Sequence, residues 1–211
     1  MPGDSRSRLH LRVVPDLSSL ADEDLMCRHR DGDAAAFDLL VRRHRGGLYR
    51  YLLRMTRNAQ RAEELLADTF LKIHRAAPRY QPSAKFTTYA YTIAHRAALN
   101  HRARMHNRRE FGAGGPAELE QQQPPPNTSG PADPERAVRV KRDFVRLEAE
   151  LAELPEIHRA TFLLYYVQGM SCSEIATSLQ ISAEEAKGRL AYARKLLRTR
   201  LSVDRRERTE R

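Results

Sequence analysis

The stretch MSCSEIATSLQISAEEAKGRLAYAR, from Met170 to Arg194, decides how the rest of this chain is interpreted. Ser171 with Glu174, and Ser182 with Glu185, form Ser-x-x-Glu patterns, which are typical of capping boxes at helix N-termini. They predict two helices that begin at fixed points, with the letters SLQIS between them. Because apolar residues recur on one side of each helix, the stretch predicts a helix-turn-helix.

The second of these helices has the chemistry that a DNA-recognition helix needs. Its predicted buried stripe is Ala186, Leu190, Ala193 and Leu197, which leaves Glu184, Glu185, Lys187, Gly188, Ala191, Tyr192 and Lys195 facing outward. Lys187 and Arg189 can donate to guanine or to phosphate, and Glu185 can accept from cytosine N4. Gly188 allows a close approach to the bases. The alternative from spacing alone is an αα-hairpin with a solvated charged face.

The composition favours an anionic partner. The 211-residue chain has 37 Lys and Arg against 27 Asp and Glu, a net charge of +10, and a pI of about 10.0. Nucleic acid is the first candidate and an anionic membrane surface the second. No apolar run reaches the roughly 20 residues that span a bilayer, and the N-terminus lacks the apolar region of a signal peptide. We therefore expect a soluble cytoplasmic protein without membrane partners.

The two cysteines do not change that expectation. Cys27 and Cys172 lie far apart in the sequence and form no CxxC motif. A disulfide framework is therefore not indicated. We expect both to be small buried apolar residues.

The chain is predicted to be all-α, with two small helical domains joined by a flexible linker and a helix-turn-helix in the C-terminal domain. Residues 1–16 are predicted to be a disordered arm, 17–111 the first domain, 112–135 the linker, 136–201 the second domain and 202–211 a disordered tail. The linker is rich in Gly, Pro, Gln and Ser and has no apolar periodicity. If flexible, it spans roughly 27 Å.

Helical periodicity divides the first domain into three predicted helices. One begins at Asp33 as N-cap, the second carries AQRAEELLADTFLKIHRAA and ends before Pro78, and the third carries KFTTYAYTIAHRAALNHRARMHNRR. Gly46 and Gly47 each weaken the first helix by about 1 kcal/mol relative to alanine, and either permit close packing or mark a kink. In the second domain, helices are predicted over about 136–153, 155–168, 171–179 and 183–201.

Two blocks of this sequence resemble one bacterial family, in the same order. The motifs LAELPEIHR, G-M-S-x-x-EIA and K-G-RL-x-x-AR are similar to region four of the extracytoplasmic-function sigma factors. In the first domain, AAAFDLLVRRH, AEELLADTFLKIHR and FTTYAYTIAHRAALNHRAR resemble region two of the same family. The resemblance covers about residues 20–110 and 137–201. It implies a subunit that binds core RNA polymerase and directs it to promoter DNA, region two opening the minus-ten element and region four reading the minus-thirty-five element.

The resemblance also implies roles for individual residues. Glu64 and Asp68, one turn apart, occupy acidic positions of the polymerase-contact helix; the plain alternative is a solvated acidic patch. The third helix resembles the promoter-melting segment, whose expected DNA contacts are Arg96, Asn100, Arg102 and Arg104. In the second domain the expected DNA contacts are Glu185, Lys187, Gly188, Arg189, Tyr192 and Arg194. Tyr89 stands where the family often has tryptophan, and is either a stacking platform or part of the core.

Two other classes of protein are alternatives to this interpretation. An enzyme is not indicated, because the histidines at 44, 74, 95, 101 and 106 have no accompanying catalytic, metal-binding or phosphate-binding motif. We expect them to be solvated or to face phosphate, and we expect no metal, cofactor or small-molecule substrate. A stand-alone helix-turn-helix regulator is the second alternative, and it should bind promoter DNA without polymerase. An anti-sigma partner is common in the family, and the sequence leaves it open.

Overall fold

The structure, a computed structural model, describes residues 16–110 and 134–209, and the side chains of 16–105 and 140–202. All regular structure in those ranges is helical, which confirms the predicted fold class. The α-helices are α1 Asp22–Arg30, α2 Ala34–Thr56, α3 Ala59–Ala76, α4 Phe86–Glu110, α5 Pro134–Ala152, α6 Glu156–Tyr166, α7 Cys172–Leu179 and α8 Ala183–Thr209. Nearly all of the predicted arm and linker lies outside the described residues.

Local signals place most helix starts where they were predicted. The Asp33 side chain accepts from Ala36 N at 3.2 Å and begins α2. Ser171 caps α7 in a complete capping box with Glu174. The Ser182 hydroxyl accepts from Glu185 N at 3.0 Å and starts α8. α8 then continues to Thr209, into the segment predicted as a disordered tail.

The four helices of the first half form a bundle around α2. α2 packs against α1, α3 and α4, and α3 packs against α4. Fully buried residues from all four helices, such as Leu25, Leu48, Ile73 and Tyr91, fill the core. α1 was not predicted from the sequence, because only its Leu25 and Met26 are buried and its other residues are largely polar.

α2 runs without interruption through Gly46 and Gly47, so the glycines mark no break in the helix. A Cβ at Gly47 would lie 2.8 Å from the Tyr91 hydroxyl and 3.3 Å from Gln168 Oε1. Real Cβ atoms do not approach other atoms as closely as the first of these distances. Close packing is therefore the reason for glycine at 47, and it brings α2 against both α4 and the second half of the chain.

The helices of the second half assemble on α8. α5, α6 and α7 each pack against it, and the turn between α7 and α8 uses Gln180 in the left-handed conformation, with φ 57°. The two halves also pack on each other, α7 along α4 and α6 against α2. Their buried residues form one continuous apolar cluster. Among the described residues, no helix is both long enough and apolar enough to cross a membrane.

Candidate functional site

The acidic pair predicted for polymerase contact lies on the surface of α3. Glu64 and Asp68 are both exposed, and both line a groove of about 650 Å³ between α3 and α4. Arg61, one turn before Glu64, places Nη1 2.6 Å from the Glu64 carboxylate. That pairing was not predicted, although the spacing of three residues is visible in the sequence.

The opposite wall of the same groove carries predicted DNA contacts. Asn100 and Arg104 of α4 line it together with Glu64 and Asp68. The structure therefore brings together, in one groove, residues that the sequence assigned to polymerase and to DNA. Arg96 is exposed one turn before Asn100.

Arg102 is the predicted DNA contact that the structure places elsewhere. Its guanidinium pairs with the Glu156 carboxylate at the start of α6, in the second half of the chain. The Arg102 side chain is still 68% exposed, whereas that of Glu156 is 7% exposed. The arginine can therefore reach solvent or a phosphate, and the carboxylate depends on the arginine for its partner.

The first turns of α8 present the predicted recognition face. Ala186, Leu190, Ala193 and Leu197 are buried, as the periodicity predicted. Lys187 and Gly188 are exposed, and a Cβ at 188 would meet no atom within 4 Å. Lys187 Nζ lies 2.7 Å from Glu184 Oε1, and both side chains are largely exposed. Such exposed pairs are weak, so a nucleic acid can replace the glutamate.

The remaining predicted contacts on α8 have protein partners. Arg189 donates to the Glu185 carboxylate at 2.5 Å and its side chain is 19% exposed. The Tyr192 ring, 49% exposed, packs on His158 with centroids 4.4 Å apart. The Arg194 guanidinium lies over the rings of Tyr165 and Tyr166, at 5.2 and 5.3 Å. Arg194 is thus positioned by α6, in cation–π contacts that the sequence did not suggest.

The expectation of solvated histidines was wrong for His95. It is 7% exposed, and its Nδ1 lies 2.8 Å from the Tyr51 hydroxyl. Burial, and secondarily the Arg189 cation, lowers the pKa of His95 to about 4. A helical stripe through Tyr91, His95 and Ala98 would have indicated this, because residues four and three apart share a helix face.

Two other histidines also have specific partners. His44 Nε2 lies 2.6 Å from Asp22, and His74 Nδ1 lies 3.0 Å from His29 Nε2. The side chain of His106 lies outside the described residues. In the ranges that the structure describes, no three or more His, Cys, Asp or Glu side chains are grouped as metal ligands.

Tyr89 is half-buried, and its ring meets Tyr80 edge-on with centroids 5.4 Å apart. Burial raises the pKa of both phenols, that of Tyr80 to about 12. Of the two interpretations of Tyr89, the structure favours the core role. Cys27 and Cys172 are partly buried and unpaired.

Comparison with known proteins matches both halves to one family. The family model Sigma-70 region 2 matches residues 40–109, and the model Sigma-70, region 4, matches residues 144–197. The chain is 30% identical over 176 residues to the ECF RNA polymerase sigma factor SigM of Mycobacterium tuberculosis, covering 82% of this chain and 81% of the relative. It is 33% identical over 162 residues to the RNA polymerase sigma factor CarQ of Myxococcus xanthus, covering 77% and 87%.

A solved structure shares the fold. The sigma factor RpoE from Bartonella quintana, determined in complex with the anti-sigma factor NepR, matches with a TM-score of 0.64. The match covers 80% of this chain and 98% of that one, at 18% sequence identity.

Proposed function

This chain belongs to the extracytoplasmic-function sigma factors of RNA polymerase, and from that premise we propose which of its residues perform the work of the family. It binds core polymerase and directs promoter-specific initiation of transcription. We assign residues 17–111 to region two, 112–135 to the linker and 136–201 to region four. The protein acts as a regulatory subunit without catalytic groups of its own, in the cytoplasm where the polymerase works.

Glu64 and Asp68 are proposed as the polymerase contact. The observation that carries this proposal is their shared exposed face on α3, where both line a groove of about 650 Å³. A basic partner surface would compete with Arg61 for Glu64. Because the Arg61–Glu64 pair is exposed on both sides, its loss costs little.

Arg96, Asn100, Arg102 and Arg104 are proposed to hold the separated minus-ten strand. Arginine and amide side chains on an exposed helix face can bind phosphates and the edges of unpaired bases. Asn100 and Arg104 lie across the groove from the proposed polymerase contact. This supports the proposal, because a strand bound by them would lie next to polymerase. Such an arrangement would couple docking to strand opening.

The first turns of α8 are proposed to read the minus-thirty-five element. Lys187, Gly188 and Tyr192 supply an exposed donor, a bare backbone and an exposed ring on one side of the helix. Glu185 and Arg189 form a joint donor and acceptor unit beside them. Arg194 can contact phosphate only if its guanidinium moves away from the rings of Tyr165 and Tyr166.

An anti-sigma protein is proposed as a further partner. Region four exposes Tyr166, at 51%, and Val167, at 42%, at the C-terminal end of α6. Aromatic and aliphatic side chains exposed together are typical of protein-binding surfaces. An inhibitor that blocks run-off transcription by the wild type should lose potency against Tyr166→Ser; equal potency would place its contact elsewhere.

Run-off transcription with purified core polymerase tests the main proposal. Addition of this protein should give transcripts from a cognate promoter that core polymerase alone does not start. A stand-alone regulator would instead bind promoter DNA in the absence of polymerase, and its addition to core polymerase would give no transcript. That result would overturn the proposed function.

A further inference from the structure

α6 contacts two of the proposed DNA-binding side chains of α8, and it holds them in different ways. Tyr165 and Tyr166, near its C-terminal end, receive the Arg194 guanidinium on their rings. His158, in its first turn, packs on Tyr192, with ring centroids 4.4 Å apart and 32° between the ring planes. Arg194 must leave its partners to reach DNA. Tyr192 keeps its partner and is still 49% exposed, so it is held and accessible at the same time.

The His158 ring is itself fixed at a second point. Its Nδ1 lies 3.3 Å from the backbone oxygen of Arg189, one turn before Tyr192 on α8. A carbonyl oxygen only accepts hydrogen bonds, so Nδ1 carries the proton in this contact. The His158 backbone is anchored as well, because its N–H donates to Pro155 O at 3.0 Å. The imidazole therefore has a defined position from which it can hold the phenol ring.

A ring held in this way is prepared for binding. The distance between the two centroids is at the short end of the range of aromatic pairs, about 4.5–7 Å. Contact with His158 restricts the Tyr192 side chain before DNA arrives, so less conformational entropy is lost when DNA immobilises it. The phenol hydroxyl is then presented at one place, where it can donate to a phosphate or to a base acceptor.

Tyr192 reaches a part of the DNA site that Lys187 does not. It follows Lys187 by five positions, which is about 7.5 Å along the helix axis. Between them, a Cβ at Gly188 would meet no atom within 4 Å, so the backbone there is open to a ligand. Contacts at both Lys187 and Tyr192 would fix the angle of α8 in the groove, and a displaced Tyr192 would remove one of these two points.

We infer that His158 is a positioning residue for promoter recognition: its ring holds the Tyr192 phenol in the orientation that meets the upstream element. The inference rests on the proposed function of α8, because Tyr192 is one of its proposed DNA contacts. His158 acts through Tyr192 and needs no contact of its own with DNA. If the pair only packed α6 on α8, its loss would lower stability and leave the DNA affinity of the folded protein unchanged.

A double-mutant cycle with polymerase holoenzyme tests the inference. Holoenzyme is reconstituted from core polymerase and each variant, and fluorescence anisotropy measures its affinity for a labelled promoter duplex that carries the upstream element. His158→Ala should weaken binding about two- to tenfold, the effect of losing an aromatic pair of ordinary strength. Tyr192→Ala should weaken binding at least as much. In the Tyr192→Ala background, His158→Ala should have no further effect, because the two residues act as a unit.

Two further variants of His158 separate the ring contact from other roles. His158→Phe keeps a ring against Tyr192 and should retain the wild-type affinity within about twofold. His158→Gln keeps a hydrogen-bonding side chain without a ring and should bind as weakly as His158→Ala. The dependence of affinity on salt should be unchanged in all three variants, because a residue that does not touch phosphate releases no counterions.

Several results would overturn the positioning role. Equal effects of His158→Ala with and without Tyr192 would show that His158 does not act through the phenol. A shallower salt dependence in His158→Ala would make His158 a phosphate contact itself, and a loss in His158→Phe equal to that in His158→Ala would exclude the ring contact as the cause. Unchanged affinity in Tyr192→Ala would also refute the inference, whereas run-off transcription by the wild type separately decides the proposed function.

Discussion

The phenol of Tyr51 lies 2.8 Å from Nδ1 of His95, and this buried hydrogen bond joins the C-terminal part of α2 to the middle of α4. Tyr51 is 1% exposed, and burial chiefly raises the pKa of its hydroxyl, so the phenol keeps its proton. His95 immediately precedes Arg96, the first proposed DNA contact on α4. The pair therefore helps to fix the rotation of α4 about its axis, and with it the direction in which Arg96 is exposed.

The stability of the protein should depend on pH through His95. The folded protein keeps the imidazole neutral down to about pH 4, whereas in the unfolded chain it takes a proton near its ordinary pKa of 6.5. As the pH falls from 6.5 toward 4, the unfolded state alone gains this proton, and the unfolding free energy should fall by up to about 3 kcal/mol from this group. Above pH 6.5 the imidazole is largely neutral in both states, so His95 contributes almost nothing to the pH dependence of the unfolding free energy.

Urea unfolding at a series of pH values measures this effect, with His95→Gln as the comparison. The variant keeps a hydrogen-bonding side chain but does not titrate. Its unfolding free energy should therefore fall less steeply between pH 6.5 and 4 than that of the wild type. Parallel curves would show that His95 is not the group responsible.

Gly47→Ala should destabilise the protein, while Gly46→Ala should not. At 47 the new Cβ meets the Tyr91 hydroxyl at 2.8 Å, and overpacking of this kind costs about 1–3 kcal/mol. At 46 its nearest neighbour is the mobile end of Arg50, at 3.3 Å, and alanine should stabilise the helix by up to about 1 kcal/mol. Thermal unfolding compares the two variants, and a stabilised Gly47→Ala would mean that the packing there is loose.

Charge reversal of Glu64 and Asp68 to lysine should weaken binding to core polymerase about tenfold or more, because two favourable surface charges become repulsive. Exposed substitutions usually change stability by less than about 0.5 kcal/mol, so the fold should persist. A pull-down with core enzyme measures the effect. Glu63→Lys is the control, since Glu63 is exposed on α3 but does not line the groove. If Glu63→Lys weakens polymerase binding as much as the double variant does, the effect comes from net charge and not from the position of Glu64 and Asp68.

Replacement of Arg96 and Asn100 by alanine should impair strand opening more than closed-complex formation. Both side chains are exposed on α4, and neither belongs to the core, so the loss should concern contact with unpaired bases. Permanganate reactivity of promoter thymines reports opening, and a filter assay reports closed binding. Normal thymine reactivity with reduced closed binding would make this face a clamp on the duplex backbone.

Lys187→Ala and Arg198→Ala should have different effects on the protein's preference for its cognate upstream element. Lys187 lies in the first turns of α8, where a base contact gives about 1–3 kcal/mol of discrimination, so its loss should reduce the preference for the cognate upstream element. Arg198 lies about 16 Å further along the helix axis, where only phosphate is in reach. Its loss should weaken all templates alike and make the salt dependence shallower.

Transcription on matched and scrambled upstream elements at several salt concentrations compares these variants. Should Lys187→Ala lose activity equally on both templates, Lys187 contacts phosphate only. Discrimination would then belong to Glu185, Arg189 or Tyr192, the other side chains of this surface.

The exposed face of α8 that we propose for DNA recognition could be predicted because its determinants are local. The alternation of Ala186, Leu190 and Ala193 with exposed residues follows from helix geometry alone, and the serine caps set its starting point. The same holds for Glu64 and Asp68, which lie on the polar side of a strongly amphipathic α3. Patterns that lie within a single helix are therefore enough to predict that helix and its exposed face.

Contacts that join distant parts of the chain could not be predicted. α1 has little apolar periodicity, yet its Glu23 carboxylate accepts from Phe86 N at 2.5 Å and caps α4 across 63 positions of sequence. The Arg54 guanidinium pairs with the Glu148 carboxylate across 94 positions of sequence. Since any of several arginines could pair with any of several glutamates, the sequence alone does not predict how the two halves pack on each other.

The packing of α7 along α4 has a consequence for the order of synthesis. The ribosome completes α4 at residue 110 and begins α7 at residue 172, roughly 60 residues later. At about 5–20 residues per second, the face of α4 that α7 covers waits some 3–12 seconds for its partner. During that interval a nascent region two carries its basic helix uncovered, beside the ribosomal RNA and the transcripts of the cell.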